Sequence, residues 1–447
     1  MSTNTPQPGQ SETASPTFEQ TQRAPAPELT ADLTETLIVE PIGDEAIRPF
    51  SYRASDEELA ELRRRILATR WPDRETVDDD SQGVQLATIR KLADYWATEY
   101  DWRKVEARLN SFPSFITNID SLDIHFIHVK SKHENALPII ITHGWPGSII
   151  EQLKIIEPLT NPTAFGGKAD DAFDVIIPSM PGYGFSARPT EPGWNPPRIA
   201  QAWLTLMKRL GYDRFLAQGG DWGALITEIL GAMAPPELIA IHTNMASTVP
   251  PEVFQALRNA EGPPPGLSDD EGWAYERLEV FFTHGLAYAN QMGKRPQTLY
   301  GIADSPIGLA AWFLDHDQLS YRMIARAFDG QPEGLTPDDV LDNITIAWLT
   351  NTAISGARLY WEALPPTSSG FGIEKNNVHF FEPIGVRAPI AVSAFPEELN
   401  QAPRSWAERT YPQLIHYNRL PKGGHFAAFE QPQLLVEELR AAFRSVR

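Results

Sequence analysis

The sequence predicts an α/β fold, a mostly parallel sheet carrying helices on both faces. Three observations lead there. Short apolar runs at 138–142, 174–178 and 215–217 suit strands covered on both sides. Amphipathic helical spacing lies between them, as at 198–210, where Ile199, Trp203, Leu206 and Leu210 share one face. The third run passes through Gly219-Gly220-Asp221-Trp222-Gly223 straight into a helix-forming stretch that ends near Met233.

Taken in order, residues 1–45 are rich in Pro, Thr, Ser, Gln and Glu and too poor in large apolar side chains to order themselves, so a disordered polar tail is expected. An N-terminal helical extension is expected over 46–120. Ser55-Asp56-Glu57-Glu58 reads as a capping box. Leu59, Leu62 and Ile66 then form an apolar face, and Trp71-Pro72 is the expected stop. Leu86, Ile89, Leu92, Ala93 and Trp96 mark a second helix, and Asp101 starts a third. Strand-like stretches follow at 116–119 and 124–129, and residues 121–246 form the first part of the core. Over 247–385 the strand–helix rhythm stops, and a helical, aromatic lid with a Pro/Gly loop at 262–266 is expected. Residues 386–447 complete the core with strands at 388–394 and 414–417 and a last helix bearing Leu434, Leu435, Leu439 and Phe443. This order predicts an α/β-hydrolase fold with a mainly helical lid domain and an N-terminal helical extension.

Composition narrows the function. The chain has 447 residues, 42% hydrophobic and 21% charged, which is ordinary for a globular protein. A net charge of −20 argues against nucleic acid or an anionic membrane as partner. The absence of cysteine removes disulfide and thiolate chemistry. No run is long enough for a transmembrane helix and no secretory signal is recognisable, so a soluble, cytoplasmic enzyme is expected. The lone sequon at Asn343 carries no weight. His125 and His128, three apart on a strand, would face opposite ways and are not expected to bind metal. Gly182-x-Gly184 lacks a third glycine and follows Pro181, so it makes a poor dinucleotide loop.

The stretch around Asp221 carries the chemistry. G-x-nucleophile-x-G between strand and helix is a nucleophile elbow, with small residues wherever the turn leaves no room for a branched side chain. The central residue is held at a helix N-terminus, which favours an anion. An aspartate there implies attack on an electrophilic carbon and an ester intermediate. In this chain order the base follows late, and His425 in Gly423-Gly424-His425 occupies that place, whereas His416 sits within a strand. The orienting acid belongs after the preceding strand, where Glu397 and Glu398 are adjacent and spacing alone does not choose between them. The amide after the nucleophile, that of Trp222, and the amide of Trp145 in His143-Gly144-Trp145-Pro146 are the candidate oxyanion donors, since Pro146 has no N–H.

These motifs together resemble the microsomal-type epoxide hydrolases of the α/β-hydrolase superfamily, over roughly residues 46–445. The likeness rests on HGWPGS at 143–148, PGYGFS at 181–186, GGDWG at 219–223, DSPIGLAAW at 304–312, FPEE at 395–398 and GGHFAAFE at 423–430. It implies Asp221 as nucleophile, His425 as general base and Glu398, two positions after the loop proline, as the orienting acid. It also implies two lid tyrosines that protonate the epoxide oxygen: Tyr360, and Tyr288 before Lys294-Arg295-Pro296, with Tyr300 the nearest competitor. The implied substrates are a small lipophilic epoxide and water, with no metal or organic cofactor. Animal members carry an apolar N-terminal anchor; residues 1–44 here are polar, so a form without a transmembrane anchor is expected, and the extension could support a homodimer. The alternatives are a haloalkane-type dehalogenase with the same Asp-His-acid triad, or a non-catalytic binding protein on this fold, which usually lacks a triad member; none is missing here.

Overall fold

The computed structural model describes residues 45–447, so the tail expected over 1–45 lies, Glu45 apart, outside the described residues. The core is a nine-stranded sheet. Its strands are β1 (Arg48–Phe50), β2 (Ser114–Ile119), β3 (Leu122–Val129), β4 (Leu137–Thr142), β5 (Phe173–Pro178), β6 (Phe215–Gly219), β7 (Leu238–Thr243), β8 (Ile390–Ala394) and β9 (Leu414–Arg419). In space they run β1-β2-β3-β5-β4-β6-β7-β8-β9. The first three are antiparallel to their neighbours, and β5, β4, β6, β7, β8 and β9 are parallel. Every residue of β6 is buried, as the apolar run required. Helices Pro196–Arg209 and Trp222–Met233 pack together on the sheet, as do Leu153–Thr160 and Pro432–Ala442. Among the described residues no helix is long and apolar enough to cross a membrane.

The extension forms helices Asp56–Leu67, Leu86–Thr98 and Trp102–Ser111. The capping box at Ser55 and Glu58 is present, and Asp101 caps the third helix. The first helix ends at Leu67, four residues short of Trp71-Pro72, and just beyond it the Thr69 hydroxyl donates to the Ile66 carbonyl at 2.7 Å. This extension packs on the lid. Tyr95 and Tyr100 each donate a hydroxyl hydrogen bond at 2.8 Å, to Asp338 and Asp342, and the Gln85 amide donates to the Tyr321 hydroxyl at 3.0 Å.

Two strands are absent from the sequence expectation. β1 has no buried residue, so it forms by pairing with β2 rather than by its own apolar pattern. β7 begins just after Pro235-Pro236 and fills the slot between β6 and β8. Between β7 and β8 the lid is a series of helices from Pro251 to Ala363.

The elbow at the end of β6 allows no side chain on Gly219 or Gly223. A Cβ on Gly219 would lie 2.0 Å from the Gly223 carbonyl oxygen, and one on Gly223 would lie 2.0 Å from the Thr142 carbonyl oxygen of β4. Both clashes are with backbone, which cannot rotate away. Gly223→Ala should therefore destabilise the protein by about 3 kcal/mol, the upper range for an overpacked core. A thermal midpoint equal to that of the parent would contradict this packing.

Candidate active site

The loops after β4, β6, β7, β8 and β9 converge at the C-terminal edge of the sheet, where open α/β folds form their sites. Asp221 stands at the centre with φ 51° and ψ −127°, a backbone conformation that costs a non-glycine residue on the order of 1–3 kcal/mol. The Trp145 amide donates to Asp221 Oδ1 at 2.7 Å. Trp222 opens the following helix, so its amide is one of those without a partner in the helical ladder. Gly144 makes the approach possible, since a Cβ there would lie 2.2 Å from the Asp221 Cβ.

Three side chains hold the Trp145 loop. His143 is buried and its ring bridges the Gly144 carbonyl at 2.9 Å and the Met180 amide at 3.2 Å. Burial pushes this imidazole down to about 4, so it stays neutral and can accept from the amide. Asn343 reaches in from the lid, donating to the Pro146 carbonyl at 2.8 Å, while the Ser148 hydroxyl donates to its Oδ1 at 2.7 Å. The sequon asparagine is thus a buried strut.

His425 follows β9, with Nε2 3.6 Å from Asp221 Oδ2 and Nδ1 2.6 Å from Glu398 Oε1. Glu398 is fully buried and Glu397 exposed, so one carboxylate of the adjacent pair meets the imidazole and the other faces solvent. The Leu399 amide and the Asn244 side-chain amide donate to the two Glu398 oxygens at 2.8 and 3.2 Å. Burial would depress the His425 pKa, but Glu398, and then Asp221, outweigh it and raise the group to about 10. Glu430 braces the loop on either side of His425, accepting from the Gly424 and Phe426 amides at 2.8 and 2.9 Å. His416 pairs instead with Glu438 at 3.0 Å.

The lid brings two phenols to this centre. Tyr288 lies flat on the Trp145 indole, with centroids 4.9 Å apart and planes 14° apart. Tyr360 meets the Trp222 ring edge-on at 4.7 Å. Burial, reinforced by nearby Asp221, holds both hydroxyls well above their ordinary range, so they are protonated at neutral pH. The helix carrying Tyr360 is pinned one turn earlier: Ser355 donates to the Gly182 carbonyl at 2.5 Å, and the Tyr183 hydroxyl donates to the Gly356 carbonyl at 2.9 Å. Both phenols, with Asp221, line a cavity of about 580 Å³ whose walls include Leu225, Ile229, Met245, Phe281 and Phe371. Tyr300 is 67% exposed and does not line it.

His125 and His128 bond to hydroxyls, of Ser179 at 3.0 Å and Tyr212 at 2.9 Å. His316 is a group that sequence reasoning missed. It is buried, bonds Asp317 at 2.9 Å and lies with its ring 4.4 Å from that of His425. Asp221, His316 and His425 bring donor atoms within 4.8 Å of one another; a cation there would compete with the His425–Asp221 contact. No local pattern marks His316, which arrives on a turn between two lid helices.

Fold and site define an α/β-hydrolase whose elbow presents a carboxylate, not a hydroxyl, to a largely apolar cavity. Known proteins narrow this. Residues 47–152 match the family described as epoxide hydrolase N terminus, and 138–282 match that of the α/β hydrolase fold. The chain is 49% identical to a provisionally named epoxide hydrolase of Stigmatella aurantiaca, over 90% of this chain and 86% of that one. It is 36% identical to epoxide hydrolase 1 of Oryctolagus cuniculus over 89% of each chain. The crystal structure of juvenile hormone epoxide hydrolase from the silkworm Bombyx mori matches it with a TM-score of 0.77 at 30% identity, over 90% of this chain and 95% of that one. The chain belongs to the epoxide hydrolase family.

The Glu398 contact yields a pH prediction. In Glu398→Gln the largest influence raising His425 is gone while burial remains. The imidazole should then titrate well below 10, with only Asp221 and Asp317 left to oppose burial. Nitrogen-15 histidine NMR reads this directly. A His425 resonance still titrating near 10 in the variant would contradict the assigned cause.

Proposed function

We propose that this chain converts small lipophilic epoxides to vicinal diols through a covalent ester on Asp221, without a cofactor. One observation carries the reading. Asp221 has Oδ1 fixed by the Trp145 amide and Oδ2 beside His425, and it opens on a cavity where two protonated phenols stand.

An epoxide stores ring strain, and its difficulty is the alkoxide it must release. Oδ2 attacks a ring carbon as the carbon–oxygen bond breaks, and Tyr288 and Tyr360 donate to the departing oxygen. Forming the ester removes the Asp221 charge that helped hold His425 protonated. His425 then releases its proton, which returns to the phenolate, and becomes a base. It takes a proton from water, whose oxygen attacks the Asp221 carboxyl carbon. The Trp145 and Trp222 amides stabilise the oxyanion, each such donor contributing about 3 kcal/mol. Collapse breaks the ester bond, and the alkoxide leaves as the alcohol by taking the proton of the new carboxylic acid. The carboxylate, the protonated imidazole and the phenols are restored. Glu398 holds the imidazole in one orientation throughout. The net charge of −20 supports a soluble form.

Single turnover in heavy-oxygen water tests the ester. The label should enter the Asp221 carboxylate and be absent from the first diol; label appearing directly in the diol would refute the reading. His425→Gln should form the ester and fail to hydrolyse it, so intact-mass measurement should find enzyme plus substrate. Tyr360→Phe should slow ester formation by about 10²-fold or more, as removal of a general acid does. An unchanged alkylation rate would remove Tyr360 from its role.

A further inference from the structure

Asp221 is a shared wall of two chambers. One is the apolar cavity of about 580 Å³. The other measures about 20 Å³ and is lined by polar groups that include His425, Glu151, Gln152, Gln218 and Asn244. A space of about 10–15 Å³ suffices for one water, provided polar partners surround it. Two of the lining residues carry uncommitted oxygens: Glu151 Oε1 and Gln152 Oε1 are buried without a hydrogen-bond partner among the described residues.

Their placement follows from the turn that ends HGWPGS. The Ser148 hydroxyl accepts the Ile150 amide at 3.2 Å and starts a short 3-10 helix, Ile149–Gln152, which carries both side chains inward. The Glu151 carboxyl takes up the space beside Gly147, where a Cβ would lie 1.3 Å from Oε1. Burial pushes Glu151 up to about 8, so at neutral pH it is an uncharged acid and adds no second anion beside Asp221.

We propose that the small chamber holds the hydrolytic water, with Glu151 and Gln152 as its positioning residues. Their free oxygens accept one proton of that water. Its other proton points to His425 Nε2, and a lone pair is left for the Asp221 carboxyl carbon. The new carbon–oxygen bond forms as His425 takes the proton; the bond from the Asp221 carboxyl carbon to the alkoxy oxygen then breaks, and the departing alkoxide takes the proton of the new carboxylic acid. Water and substrate thus reach Asp221 from different chambers. The inference rests on the aspartyl-ester reading above.

Rapid-quench single turnover of styrene oxide with enzyme in excess separates alkylation from hydrolysis, the adduct being followed by mass. Glu151→Leu should leave alkylation within about twofold and slow hydrolysis about tenfold or more, the effect of losing one buried acceptor. Glu151→Gln keeps a carbonyl acceptor and should recover most of the hydrolysis rate. Gly147→Ala displaces the carboxyl without removing it, should show the same selective loss, and serves if Glu151→Leu does not fold. Equal slowing of both steps, unimpaired hydrolysis, or a Gln variant as slow as the Leu variant would overturn the proposal. Failure of the ester reading is distinct, since His425→Gln would then trap no adduct whatever residue occupies 151.

Discussion

The hydrogen bond from the Trp145 amide to Asp221 Oδ1 is the contact around which the site is built. It requires a carboxylate raised above the sheet in a strained backbone conformation, and it requires two loops to meet without side chains between them. Gly144, Gly219 and Gly223 meet that need, because a Cβ at any of the three would overlap a neighbouring atom. The strain at Asp221 persists only because the buried strands around it leave the turn no alternative. One carboxylate oxygen is thereby committed to the backbone donor, and the other faces His425.

The same tryptophans tie the core to the lid. Trp145 supplies its amide to Asp221 and its indole face to Tyr288; Trp222 supplies the first turn of the elbow helix and an edge contact to Tyr360. Movement of the lid would therefore disturb the placement of both phenols. Further ties work from outside. Asn343 holds the Trp145 loop, and Tyr183 and Ser355 hold the helix of Tyr360. The extension completes the arrangement through Tyr95 and Tyr100, which bond the lid helix that carries Asn343.

Local chemistry explains what was legible in the sequence. The elbow could be read because steric exclusion leaves a trace of small residues around one large polar one. The parallel strands could be read because burial on both faces demands unbroken apolar runs. Glu398 could not be separated from Glu397 by spacing, since neighbouring carboxylates on a loop differ only in which way the backbone turns them. β1 and β7 were missed because each owes its existence to a neighbouring strand. His316, Asn244 and Asn343 act across long sequence separations, and each resembles an ordinary surface residue until the fold encloses it. Tyr300 and Tyr288 illustrate the same limit, because only the packing of the lid decides which phenol is 67% exposed and which lies on Trp145.

The charge on His425 connects the two halves of the proposed cycle. An imidazole enclosed by protein favours its neutral form, yet Glu398 and Asp221 together keep this one protonated. A protonated neighbour suits the resting enzyme, in which Asp221 must remain an anion inside a mostly apolar enclosure. It would be a useless base. Alkylation of Asp221 neutralises one of the carboxylates that oppose burial, leaving Glu398 and the weaker influence of Asp317, so the event that creates the ester also shifts His425 toward the neutral form needed to cleave it. A base that was neutral from the start would leave the buried carboxylate unsupported before substrate arrived. Coupling His425 to the nucleophile's own charge avoids that conflict, and it explains why the imidazole sits within reach of both carboxylates.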